Sequence, residues 1–400
     1  MRQQKSLLIL LVITIALSAI VITTSSPPPT NDEPVAVSLL LTPSATQPGR
    51  TPSPQATPAP PVEVRIAWFY KPVKDEQLPI LASRYSFFIL TRKDEPERDQ
   101  LLAMGIPKPV LQYFRFDAIE NPGSCTDQPF RNQVAYQPGD FCRISEENPD
   151  WFLINEFGRR ISREEGGKVY FYMDPGSQGW REFFLQRVVE NMVDDHWGGI
   201  FLDNVEVSLA RLESRGQFPI RYSSDQEYRD AIAGFLQFMR EGYFNAHNRF
   251  IFANLISAYT EKERLNYIDL LDGVMHEGWA VSKSKGYYSS NTWESQMEIA
   301  EQIQKANRSV ILVSQGDKED LQKEKFTFAS YLLINQGGAI FRYANSDHYN
   351  EIWWYENYTI DLGQPIGMRY KVGDRWYRDF ANGRVMVDPG TQEVEFIITK

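Results

Sequence analysis

Asp203 ends the apolar run GIFLD (199–203), and Glu277 stands near the end of DGVMHEG (272–278). Carboxylates are rarely buried unless paired, so an acid that closes a strand suited to burial needs a physical reason. Asp203 could cap a following helix, a common use of Asp at such junctions. Other apolar runs also finish on polar residues, however: Asn254 in FIFAN, Gln315 in ILVSQ, and Arg342 with Tyr343 in IFRY. Capping does not predict Glu, Gln or Arg there, whereas a polar pocket fed by several strand ends does. Two carboxylates without a cofactor signature suit hydrolysis of a glycosidic bond, in which one acid protonates the leaving oxygen and the other attacks or activates water.

A metal-dependent hydrolase is the rival chemistry. His196, His247, His276 and His348 show no HExxH or other ligand spacing, so neither a metal nor a cofactor is expected. No GxSxG marks a serine nucleophile. His276 alternates to the face opposite Glu277 on a regular strand and is expected to pack away from the pocket.

Such acids need a scaffold that brings strand ends together. Eight runs qualify as strands: VRIAWFY (64–70), YSFFILT (85–91), VLQYFRF (110–116), GIFLD (199–203), FIFANLI (250–256), DGVMHEG (272–278), SVILVSQG (309–316) and GAIFRYA (338–344). Several are apolar almost throughout, the mark of parallel strands covered on both faces. Amphipathic segments at 180–193, 225–243, 293–306 and 319–335 lie between them. This alternation predicts an α/β chain, a (β/α)8 TIM barrel over 62–344, in preference to an open doubly wound sheet, because no GxGxxG or P-loop follows any strand. Active sites of such barrels form at the C-terminal strand ends, so Asp203, Asn254, Glu277, Gln315 and Arg342 should converge at one rim.

KVYFYMDPGSQGW (168–180) reads as an irregular extended segment feeding a helix near Trp180, which leaves 120–166 as a long excursion after the third strand. Asp174 in MDPG is a third candidate acid for the pocket, or else the Asp of a turn before Pro175 and Gly176. Trp68, Tyr70, Tyr113, Arg115 and Trp279 end or follow strands and could stack on or hydrogen-bond to a sugar, or belong to the core. Asn204 points away from the pocket on a regular strand and inward only if the chain turns there. Residues 345–400 read as a small antiparallel β appendage with Asn382–Gly383 as a hairpin turn.

The chain has a hydrophobic fraction of 42%, an aromatic fraction of 13% and a formal charge of −10. Without residues 1–61, 39 Lys and Arg face 50 Asp and Glu, a charge of −11. No basic cluster is present, which argues against a nucleic-acid partner. Arg2 and Lys5 precede an apolar stretch from 7 to 22, so residues 1–24 are expected to be a signal peptide or an N-terminal membrane anchor. Residues 25–61 hold eleven of the 24 prolines and form a Pro/Thr/Ser-rich linker. The expected location is secreted or tethered, through 7–22, to the outer face of the cytoplasmic membrane. In an exported chain Cys125 and Cys142 are expected to pair, two free thiols being the alternative.

YFYMDPGSQGW, GGIFLDNVEV, GVMHEGW and WYRDFANGRVMVDP (376–389), in that order, resemble a family of bacterial exported TIM-barrel glycoside hydrolases related to polygalactosaminidase-like and α-galactosidase-like barrels. The resemblance covers about residues 64–390. It implies a carbohydrate substrate, with Asp203 as nucleophile and Glu277 as acid/base, and favours a retaining mechanism. The rival from another class is a non-catalytic cell-surface glycan-binding barrel, which would keep the aromatic cleft and tolerate loss of either carboxylate.

Overall fold

The computed structural model describes residues 62–399 apart from 71, 194, 257–260 and 284–285. The expected export segment (1–24), membrane tether (7–22) and linker (25–61) lie outside the described residues. Among the described residues no helix is long and apolar enough to cross a membrane.

Eight strands hydrogen-bond side by side in chain order: β1 (Ala67–Phe69), β2 (Phe87–Leu90), β3 (Val110–Arg115), β4 (Gly199–Glu206), β5 (Phe250–Ile256), β6 (Gly273–Glu277), β7 (Ser309–Ser314) and β8 (Ala339–Tyr343). All the pairings are parallel. Ile66 bridges to Phe341 in parallel, and the Phe341 amide donates to the Arg65 carbonyl at 2.8 Å, which closes the sheet into a barrel and removes its edges.

Two buried layers explain why the strands are apolar on both faces. Ala67, Phe69, Phe87, Ile89, Leu111, Phe201, Phe252, Met275, Ile311, Val313 and Ile340 form a self-contained cluster inside the barrel. Their neighbours Trp68, Phe88, Leu90, Val110, Ile200, Leu202 and Phe341 join the larger cluster beneath the helices. Burying each large apolar side chain contributes roughly 2 kcal/mol. Gly273 opens β6 because the Phe252 ring occupies the space a side chain would need.

The outer layer contains helices Leu78–Arg84, Glu95–Ala103, Gln178–Met192, Asp225–Met239, Ser290–Lys305 and Leu321–Ile334. Ser177, Ser224, Ser289 and Asp320 cap the last four, each side chain accepting a backbone N–H of the first turn. The connection from β5 to β6 departs from the repeat and carries a 3-10 segment, Glu261–Tyr267.

The excursion after β3 is more ordered than its sequence suggests. Lys168–Tyr172 is a strand and not an irregular segment: it pairs antiparallel with both Ala118–Asn121 and Ser162–Glu165. Ala118, Tyr170 and Tyr172 share one face of this sheet and are buried, which supplies the apolar face it needs. Cys125 is bonded to Cys142 on helix Asp140–Glu147, with Cα atoms 5.7 Å apart.

At the C-terminus Tyr370–Val372, Arg375–Phe380, Gly383–Val387 and Val394–Ile398 form an antiparallel sheet. Its hairpin turn lies one residue before the expected Asn382–Gly383, since Phe380 pairs with Gly383 and leaves Ala381 and Asn382 in the turn. Gly383 instead begins a strand, against the Ile397 carbonyl, where no side chain fits. Arg378, buried, donates to the carbonyls of Leu332 and Asn335 at 2.8 and 2.6 Å and fastens the sheet to the last barrel helix.

Candidate active site

β4 does not stop at Asp203 but bends there. Asn204 adopts φ +60°, a left-handed conformation that Asn tolerates better than most residues. Pairing with β5 shifts from Leu202–Ala253 to Val205–Leu255, the signature of a bulge. The bend turns the Asn204 amide onto its neighbour, donating to Asp203 Oδ1 at 2.9 Å, and brings Asn204 into the wall of the cleft.

Two further donors meet Asp203. The Tyr113 hydroxyl, from β3, donates to Oδ2 at 2.6 Å, and Asn254 Nδ2, from β5, donates to Oδ1 at 3.1 Å. The same Asn254 nitrogen donates to Glu277 Oε2 at 3.2 Å, so one amide joins both acids. Glu277 Oε1 accepts from the Tyr349 hydroxyl at 3.4 Å, and that hydroxyl accepts from Gln315 Nε2 at 3.4 Å. Removal from water, with the negative charge of Asp203 added, pushes the Glu277 carboxyl above the ordinary glutamate range.

These groups line a cleft of about 410 Å³ formed by Tyr70, Glu165, Asp203, Asn204, Asn254, Glu277, Ser346, Asp347, Tyr349 and Asn350. Tyr70 reaches it through an uncommon φ of +51°. Its ring stands edge-on to Tyr113, centroids 4.7 Å apart, and to Tyr349 at 6.2 Å, so Tyr70 and Tyr349 share the wall and Tyr113 packs against Tyr70.

Five residues expected in the pocket lie elsewhere. Trp68 faces outward under the helices, 0% exposed, and its indole N–H donates to the Tyr70 carbonyl at 2.9 Å, bracing the turn that admits Tyr70. Trp279 is likewise 0% exposed, its indole bonded to the Thr327 carbonyl on helix Leu321–Ile334. Asp174 forms the turn before Pro175: it accepts from the Gly176 amide at 2.8 Å and the Tyr222 hydroxyl, and pairs with Arg221 at 3.0 Å. Arg342, buried, donates to the carbonyls of Tyr349 and Glu351 at 3.3 and 3.1 Å and so holds the loop that carries Tyr349. Arg115 pairs with Asp117 at 3.2 Å and Glu165 at 2.6 Å, behind the rim. His276, buried, faces away from the cleft as strand alternation requires.

Glu165, Ser346, Asp347, Tyr349 and Asn350 line the cleft without having been singled out in the sequence. Glu165 arrives on the inserted sheet and the other four on the loop after β8, where no strand-end signal marks them. Among the described residues, no group of three or more His, Cys, Asp or Glu side chains is placed to hold a metal ion.

Residues 112–384 match the model of hypothetical glycosyl hydrolase family 15. No curated protein sequence matches the chain. Similar solved structures include α-L-fucosidase isoenzyme 2 from Paenibacillus thiaminolyticus, at 11% identity and TM-score 0.44 over 72% of this chain and 48% of that one. The α-galactosidase TtGalA from Thermus thermophilus shows 11% identity and TM-score 0.46 over 83% and 67%. An α-amylase from Malbranchea cinnamomea shows 9% identity and TM-score 0.47 over 81% and 84%. The chain thus spans about half the length of the fucosidase.

Proposed function

Because the chain belongs to hypothetical glycosyl hydrolase family 15, we propose that it hydrolyses a glycosidic bond of an extracellular poly- or oligosaccharide by a retaining mechanism, with Asp203 and Glu277 as the reacting pair. The observation that carries this reading is the shared donor, Asn254 Nδ2, at 3.1 Å from Asp203 Oδ1 and 3.2 Å from Glu277 Oε2. Two oxygens at these distances from one nitrogen can lie no farther apart than the two distances laid end to end, which falls short of the ~6.5 Å at which inversion begins and favours a retaining pair.

In this mechanism Glu277, whose hold on its proton is strengthened by burial and by Asp203, gives that proton to the leaving oxygen while Asp203 attacks the anomeric carbon. A glycosyl ester on Asp203 results and the aglycone departs. Glu277, now ionised, takes a proton from water, whose oxygen displaces the Asp203 carboxylate and restores the enzyme. Tyr113, the Asn204 amide and Asn254 stabilise the carboxylate when it leaves. The exported location and the division into a catalytic barrel at 62–344 and an appendage at 345–400 belong to the same proposal, on sequence grounds.

The test is a screen of the protein against α- and β-linked polysaccharides and aryl glycosides, with Asp203→Asn as control. Release of reducing ends by the wild type and not by the variant supports the proposal. Binding of a glycan with no cleavage by either would replace it with the glycan-binding barrel.

A further inference from the structure

The strands Ser162–Glu165 and Lys168–Tyr172 form a hairpin whose two-residue turn, Gly166 and Gly167, has φ of +59° and +75°. Glu165 is thereby fixed on the rim of the cleft, its side chain 56% exposed. Only one of its oxygens is engaged: Oε2 lies 2.6 Å from Arg115 Nη2 and 3.2 Å from Arg163 Nε. Among the described residues Oε1 accepts no hydrogen bond. Arg115 and Arg163 are nearly buried, and both also pair with Asp117, at 3.2 and 3.0 Å. The Arg115 guanidinium lies 4.1 Å from the centre of the Tyr170 ring, which holds it in place. The carboxylate is therefore oriented before any ligand arrives.

Resting on the hydrolase reading, we propose that Glu165 is a specificity-determining residue: its free oxygen accepts hydroxyl hydrogens of an uncharged sugar residue bound beside the catalytic pair. Two guanidinium groups balance the charges of Glu165 and Asp117, so Glu165 itself adds no surplus charge with which to favour an amino sugar. It still offers a strong charge-assisted acceptor. An acidic sugar is disfavoured, since Glu165, Asp203, Glu277 and Asp347 all line the cleft and, among the described residues, no Lys or Arg side chain does, Lys283 being engaged at its edge with Ser346 at 2.7 Å.

The test is calorimetric titration of the full chain carrying Asp203→Asn, which prevents turnover, with neutral and uronic oligosaccharides. A neutral oligosaccharide should bind, and Glu165→Ala in the same background should weaken it by about tenfold or more. Glu165→Gln, which keeps the shape and one acceptor, should fall between them, and thermal melts of the three should agree if folding is intact. Uronic oligosaccharides should not bind. The proposal is overturned if no neutral oligosaccharide binds, if a uronic one binds as well, or if Glu165→Ala binds normally. Should the bound oligosaccharide survive incubation with the Asp203 chain, the hydrolase reading fails while the subsite stands; cleavage with no effect of Glu165→Ala removes the subsite alone.

Discussion

Asn254 donates through a single nitrogen to both Asp203, at 3.1 Å, and Glu277, at 3.2 Å. The amide separates two acids that would otherwise repel, and it orients each. Asn254→Ala removes the hydrogen bonds to the Asp203 carboxylate and to the Glu277 carboxyl together, so kcat/KM should fall about 10- to 100-fold. Asn254→Asp replaces the donor with a third carboxylate and should be worse. Steady-state kinetics on any active substrate decides, and a variant within twofold of the wild type would dismiss the bridge as a functional element.

The spacing that this bridge imposes predicts the stereochemistry. The first product released should have the anomeric configuration of the substrate, which proton NMR of an early reaction mixture reads directly. The opposite anomer would show that water and not Asp203 attacks.

The two acids should respond differently to substitution. Asp203→Asn should abolish turnover on every substrate, whereas Glu277→Gln should spare aryl glycosides whose phenol leaves without a proton. Glu277 must be protonated to act, and its carboxyl is pushed upward by burial and by Asp203. Activity should therefore fall as pH rises through this raised value, and that limb should vanish in Glu277→Gln assayed with the acidic phenol.

Glu324 offers a test on stability. It is 2% exposed, both its oxygens accept from Asn357 Nδ2, and burial pushes its carboxyl from 4.5 up to about 7. The folded state holds this proton more tightly than the unfolded chain, so the contribution is fully present below about pH 4.5 and is lost as pH rises through 7. The wild type should lose on the order of 3 kcal/mol relative to Glu324→Gln across that window. Urea melts of both proteins at the two ends measure it, and parallel pH dependences would refute it.

The bond between Cys125 and Cys142 spans 17 residues of sequence. Its reduction should cost about 3 kcal/mol in the chain-entropy model, seen as a lower melting temperature in reductant. Thiol titration of the unfolded, unreduced protein should detect no free thiol.

Much of the site was legible because strands of a parallel barrel must point the same way. A polar residue at the end of FIFAN or DGVMHEG is then placed at one rim by topology alone, and Asp203, Asn254 and Glu277 meet there. What the linear pattern does not encode is side-chain direction where the backbone departs from a regular strand. Trp68 and Tyr70 share a parity, yet Trp68 packs outward and Tyr70 enters the cleft, because a left-handed turn at Tyr70 reverses its direction. The bulge at Asn204 does the same beside Asp203. Glu165 and Tyr349 were invisible for another reason. They come from an inserted hairpin and from a loop beyond the last strand: Arg115, remote in sequence, fixes Glu165 together with its strand neighbour Arg163, and Tyr349 meets Glu277 from the far side of the last two strands. Local periodicity reports which residues can be buried together, but contacts between segments far apart in sequence exist only after the barrel has closed.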